Sequence, residues 1–237
     1  MMIPGSLEYA QVRLQSRHAA RANVPAWRTM EHARELPALI AAAGASGFDS
    51  VVRQLPMPPG LHALDLAIRN QWREQVDEVA GWMPAEWQPA LRWCSLIVDL
   101  PFLDYLAGGG SPTQWMRRAQ SDSRGQLSSG AGPEAVSSGW YREWRNRMPR
   151  LSEEKSAHLT VLVHTVGSHL DVFSRAAADE AWQCRRLLEE KLAILFRRFT
   201  LEPLAAFVFL ALEWLALERL RGEIAIRIAF PSRMLAP

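Results

Sequence analysis

Arginine recurs every four residues near the start of the chain, at Arg13, Arg17 and Arg21, and this spacing lines up one face of a helix. Such a stripe can be a solvated face, or it can meet an acidic partner. A second basic cluster, Trp140-Tyr141-Arg142-Glu143-Trp144-Arg145-Asn146-Arg147, interleaves cations with aromatic rings. Rings and guanidinium groups in that order can stack on bases and neutralise phosphates. The same order also suits a helix whose tryptophans pack inward while its arginines reach outward. Glu213 is the third feature, a single carboxylate inside a long apolar run. Buried, it needs a cation or a raised pKa, and Arg13 or Arg17 is the expected partner.

Other reactive residue types lack the spacing that their chemistry requires. His158, His164 and His169 stand six and five apart, whereas two metal-binding histidines on one helix face want three or four. They read as surface or capping residues. Cys94 and Cys184 are isolated, which excludes a disulfide framework and a four-thiolate zinc site and suits a reducing compartment. Gly108-Gly109-Gly110 has no Lys-Ser/Thr after it and no strand before it, so it is not a phosphate loop. There is no GxSxG and no dinucleotide fingerprint. No cofactor or metal is expected.

The elements that must hold these residues read as helices. Ser6 opens the first, with Leu7, Ala10 and Leu14 apolar. Pro25 interrupts the pattern, and a second helix is expected from Trp27 to Ala43, ending at Gly44. After a short segment from Phe48 to Leu55 and the turn Pro56–Gly60, periodicity returns from Leu61 to Gly81. Pro84 should start a helix running through Val98, with a last apolar turn before the glycines. Residues 108–139 hold half of the 14 glycines, and this Gly/Ser-rich stretch reads as a linker or loop, with one possible helical turn at Trp115–Arg118. It divides the chain into an N-terminal helical lobe, 1–107, and a C-terminal lobe, 140–237. Ser152 offers a start for an amphipathic helix through Phe173, which either continues or breaks and restarts near Asp179.

The last long stretch, Thr200 to Arg227, organises the others. Thr200 is placed to cap it, with Glu202 and Pro203 in the first turn. From Leu204 to Leu217 apolar residues cover most of the circumference, the pattern of a helix in an interior. The run is shorter than the roughly 20 residues of a membrane span and contains Glu213. With no strand-like alternation anywhere, the fold class is all-α. Hydrophobic content of 49%, charged content of 22% and a net charge of +2 are those of a globular protein with no compositional demand for nucleic acid. The first residues show no basic region followed by an apolar core, so a cytoplasmic protein without a signal peptide or a transmembrane segment is expected.

Several pieces together resemble a known family. Tyr9-Ala10-Gln11-Val12-Arg13, the run Arg92-Trp93-Cys94-Ser95-Leu96-Ile97-Val98-Asp99-Leu100, and the ending Glu213, Leu220, Arg221, Ile224 are similar to the subunit called d in vacuolar-type and C in archaeal-type rotary ATPases. The resemblance implies a funnel-like bundle of pseudo-repeated helical lobes. It also implies a non-catalytic coupling part, peripheral on the cytoplasmic face of the membrane, between the central-stalk subunits and the proteolipid ring. On this view Tyr9, Arg13, Arg17, Trp140, Trp144, Arg145, Glu213 and Arg221 face partners. The other reading is a soluble all-helical regulatory module that binds protein or nucleic acid through Trp140–Arg150.

Overall fold

The structure is a computed structural model and describes residues 5–111, 133–177 and 180–231. It is all-helical, and the described residues contain no strand. In chain order the helices are α1 (Leu7–Ala19), α2 (Val24–His32), α3 (Leu36–Ala43), α4 (Asp49–Val52), α5 (Leu61–Trp82), α6 (Gln88–Trp93), α7 (Leu100–Ala107), α8 (Pro133–Asn146), α9 (Glu153–Phe173), α10 (Ala181–Arg198) and α11 (Leu204–Ala229).

The apolar circumference of α11 makes it the centre. Every residue from Leu204 to Leu210 is buried, so this part of the helix meets protein on all sides. Leu212, Leu217, Leu220 and Ile224 continue one buried face. Helix α11 packs against α1, α3 and α5 from the first half of the chain and against α9 and α10 from the second. Buried residues of both halves therefore form one continuous core. No helix among the described residues is long and apolar enough to cross a membrane.

Several local expectations change for physical reasons. Thr200 does not cap α11; its hydroxyl donates to the Arg197 carbonyl (2.8 Å) and closes the end of α10. Leu201 then takes a left-handed backbone (φ 63°), held by its N–H donating to Gln11 Oε1 at 3.0 Å. The helix begins behind Pro203, where the missing N–H is harmless. The segment expected as one helix from Trp27 to Ala43 is two. Asn23 caps the first by accepting from the Ala26 N–H (2.9 Å), which puts Pro25 inside the first turn rather than before the helix. The extended backbone at Ala33 and Glu35 separates the two, and Pro37 starts the second.

Helix α3 ends at Ala43 with Gly44 as its cap, as expected. The chain then kinks at Ser46 and Gly47, where Gly47 supplies the positive φ of 93°, before α4 begins. The helix expected from Pro84 through Val98 is instead α6 followed by a 3₁₀ segment, Cys94–Asp99. Pro101 lies in the first turn of α7.

Ser152 does cap α9, accepting from the Lys155 N–H (3.4 Å). Helix α8 begins at Pro133, so the last residues of the Gly/Ser-rich stretch 108–139 are helical. Trp115–Arg118 and Asp179 lie outside the described residues.

Candidate functional site

Glu213 lies on α11 where the hub passes α1 and α5, and its side chain is only 16% exposed. Its cation is Arg21, not Arg13 or Arg17: Arg21 Nε stands 2.9 Å from Glu213 Oε1. The two atoms are close without being aligned as a hydrogen bond, so the attraction is one of charge. Gln75 of α5 donates to Glu213 Oε2 at 3.0 Å. Burial pushes the Glu213 carboxyl above its ordinary pKa, and the nearby Arg21 and Arg17 and the Gln75 amide pull against that without cancelling it. Arg21 also donates to the Leu212 carbonyl (2.8 Å) and to Glu189 of α10 (3.3 Å), so one guanidinium joins α1's C-terminal turn to two later helices.

Around this pair lies a cleft of about 140 Å³ lined by Arg17, Arg21, Gln71, Gln75, Glu213 and Ser50, among others. It has room for a few water molecules, each filling roughly 30 Å³ of liquid, and its lining mixes both signs of charge with amides and a hydroxyl. Among the described residues no three His, Cys, Asp or Glu side chains gather as metal ligands.

The rest of the arginine stripe runs along the edge of this region. Arg17 donates to Glu78 Oε2 at 2.7 Å. Arg13 lies 3.8 Å from the same carboxylate and 5.1 Å from the Trp82 ring centroid. Tyr9, one turn before Arg13, is half-buried against the core, and its N–H caps onto Ser6 Oγ. Arg221 lies on a different part of α11 and donates through Nε to Asp65 of α5 at 2.6 Å. Arg13 and Arg17 thus pair α1 with α5 inside the N-terminal half, whereas Arg221 joins the hub to α5; these residues do not converge on one point.

Trp140, Trp144 and Arg145 sit apart on α8. Trp144, expected at a partner surface, is buried and meets Phe207 of the hub edge-on with centroids 5.5 Å apart. Trp140 stacks on Trp144 (5.9 Å, 13° between planes) and exchanges hydrogen bonds with Trp93: each indole N–H donates to the other residue's carbonyl, at 3.1 and 3.3 Å. Arg145 is exposed, and Arg147 lies 4.1 Å from the Trp93 ring centroid. The tryptophans therefore pack inward and the arginines form an outer edge.

Two clusters were not singled out from the sequence. Asp99, fully buried, accepts from Arg69 (2.8 Å) and from Arg73 through both oxygens (3.0 and 2.9 Å), which ties the 3₁₀ segment to α5. Its signal was an acid inside the apolar run Cys94-Ser95-Leu96-Ile97-Val98-Asp99-Leu100. Near the end of α11, Arg227 donates to the carbonyls of Met30 (3.3 Å), Glu31 (2.9 Å) and Ala33 (2.6 Å) at the end of α2, where the Met30 carbonyl also accepts the Ala33 N–H. Arg219 pairs with Glu31 and lies 4.2 Å from the Trp27 ring centroid.

Cys94 and His158 are engaged in the packing. Burial pushes the Cys94 thiol up to about 12, so it carries no thiolate near neutral pH. His158 Nδ1 lies 2.8 Å from Glu202 Oε2, bridging α9 to the turn before the hub. The chain matches no protein-family model, and curated proteins and solved structures likewise give no match.

Proposed function

We propose that the chain is a non-catalytic coupling subunit of a vacuolar/archaeal-type rotary ATPase, peripheral on the cytoplasmic face of the membrane. It would join the central stalk to the proteolipid ring, and a funnel of pseudo-repeated lobes belongs to the same reading. The observation that carries it is the bracing of the hub by residues at which the chain resembles that family. Leu220 and Ile224 are buried, Arg221 is paired with Asp65, and Glu213 is held by Arg21 and Gln75. Arg13 of the first helix reaches Glu78 and Trp82. A part that transmits torque must resist shear between its helices, and ion pairs spanning α1, α5, α10 and α11 oppose such sliding in a direction-dependent way that apolar contacts do not.

The test is affinity purification of the tagged chain from detergent-solubilised membranes. Recovery of stalk and proteolipid subunits supports the proposal, and recovery of neither refutes it. The alternative of a nucleic-acid-binding module keeps one exposed ring, Tyr141, since Trp144 is buried and Trp140 is engaged with Trp93. Salt-dependent RNA or DNA binding lost on replacing Arg142, Arg145 and Arg147 by Ala would revive it.

A further inference from the structure

Helix α10 has two faces of different character. Leu188, Leu192, Leu195 and Phe196 are buried. On the outer face Leu187 and Ile194 stay 49% and 56% exposed. They are seven residues apart, two turns or about 10 Å along the axis. Arg186, Lys191, Arg197 and Arg198 surround them, are exposed, and make no ion pair among the described residues. Arg17, Arg21, Arg69, Arg73 and Arg221, by contrast, sit in ion pairs. Glu190 is the one acidic side chain exposed on α10.

The pattern discriminates among occupants. A helix lying on a lipid surface buries a broad apolar face, and a line one residue wide with charges on both flanks does not supply one. A second copy of the same face would set these cations against each other. A partner helix with apolar residues recurring every seven positions and carboxylates beside them answers both the spacing and the charge. We propose that the outer face of α10 docks an acidic amphipathic helix of a partner protein, with Leu187 and Ile194 at the centre and Arg186, Lys191, Arg197 and Arg198 as its electrostatic rim. This holds whether or not the chain serves a rotary ATPase.

The experiment uses the full chain and a fluorescein-labelled synthetic amphipathic helix with Leu at its heptad a and d positions and Glu at e and g. Fluorescence anisotropy should show saturable binding that weakens about tenfold between roughly 50 and 300 mM NaCl. The double variant K191E/R198E and the double variant L187S/I194S should each weaken it by about tenfold or more. Their side chains point outward, so circular dichroism and melting should match the parent. A Lys-for-Glu version of the peptide, phosphatidylserine vesicles and a single-stranded RNA oligonucleotide serve as competitors. Absence of peptide binding, equal binding of the Lys peptide, binding unchanged in both variants, or preference for the vesicles or the RNA overturns the proposal.

Discussion

The Arg21–Glu213 pair should respond asymmetrically to loss of its two halves. Replacing Arg21 by Met removes the cation from a carboxylate that is only 16% exposed and also takes a donor from the Leu212 carbonyl. Breaking a buried pair in this way costs about 3–5 kcal/mol. The partial exposure of both groups and the surviving Gln75 bond reduce that here to about 2–3 kcal/mol. Glu213→Gln differs, because the amide keeps the shape and removes the charge that burial penalises. Arg21 retains the Leu212 carbonyl and Glu189. That substitution should cost less than about 1 kcal/mol at neutral pH.

The pH dependence has a definite sign. Glu213 has a raised pKa in the folded protein, mainly from burial, so between its ordinary and its raised value the folded state binds more protons than the unfolded state. Its contribution is complete below the ordinary glutamate range and falls as pH climbs through the raised value. Glu213→Gln should flatten that slope, and Arg21→Met should be partly relieved by acid. Urea unfolding at several pH values measures all of this. If Glu213→Gln costs as much as Arg21→Met, or if stability through this window rises with pH in a Glu213-dependent way, burial is not the dominant force on this carboxylate.

Arg17→Ala should cost less than about 1 kcal/mol in the same assay, because its pair with Glu78 is largely exposed. Asp99→Ala should cost about 3–5 kcal/mol, since it takes a fully buried acceptor from both Arg69 and Arg73, and denaturant titration would show it as a large drop in midpoint. Arg227→Ala leaves the Glu31 and Ala33 carbonyls without this donor, while Met30 keeps the Ala33 N–H, and should lower stability by about 1–2 kcal/mol, with amide exchange accelerating first in α2. Cys94 should resist a thiol reagent at pH 8 until the chain unfolds, whereas the less buried Cys184 should react in the native protein; mass spectrometry of the labelled peptides distinguishes them.

The hub was legible because its signal is local. Apolar residues on every side of one helix can be read from Leu204 to Leu217 without knowing any neighbour, and the structure buries them. Glu213's need for a cation was legible for the same reason. Which cation it takes was not. Arg13, Arg17 and Arg21 are each about 6 Å further along one stripe, and only the crossing of α1 over α11 decides which one reaches the carboxylate. That arginine lies just beyond the last helical residue, Ala19.

Thr200 shows the limit of a capping rule. Its hydroxyl can serve the helix before it or the one after it, and the turn at Leu201 turns it back toward Arg197. The Trp/Arg segment admitted both a nucleic-acid edge and a packed helix, and the partners its tryptophans take, Trp93 and Phe207, lie too far away in sequence for a local pattern to name. Asp99 was named only as part of the run Arg92–Leu100, because nothing in its neighbourhood announces the two arginines of α5 that the fold brings to it.

The proposed role of the chain is mechanical coupling between the stalk and the ring. Its most direct test is deletion of the chain followed by two readings on inverted membrane vesicles, ATP hydrolysis and ATP-driven membrane potential followed by a voltage-sensitive dye. If the chain has the proposed role, hydrolysis persists on the catalytic head while the potential collapses, and restoring the chain restores it. A potential that survives deletion unchanged would contradict the claim.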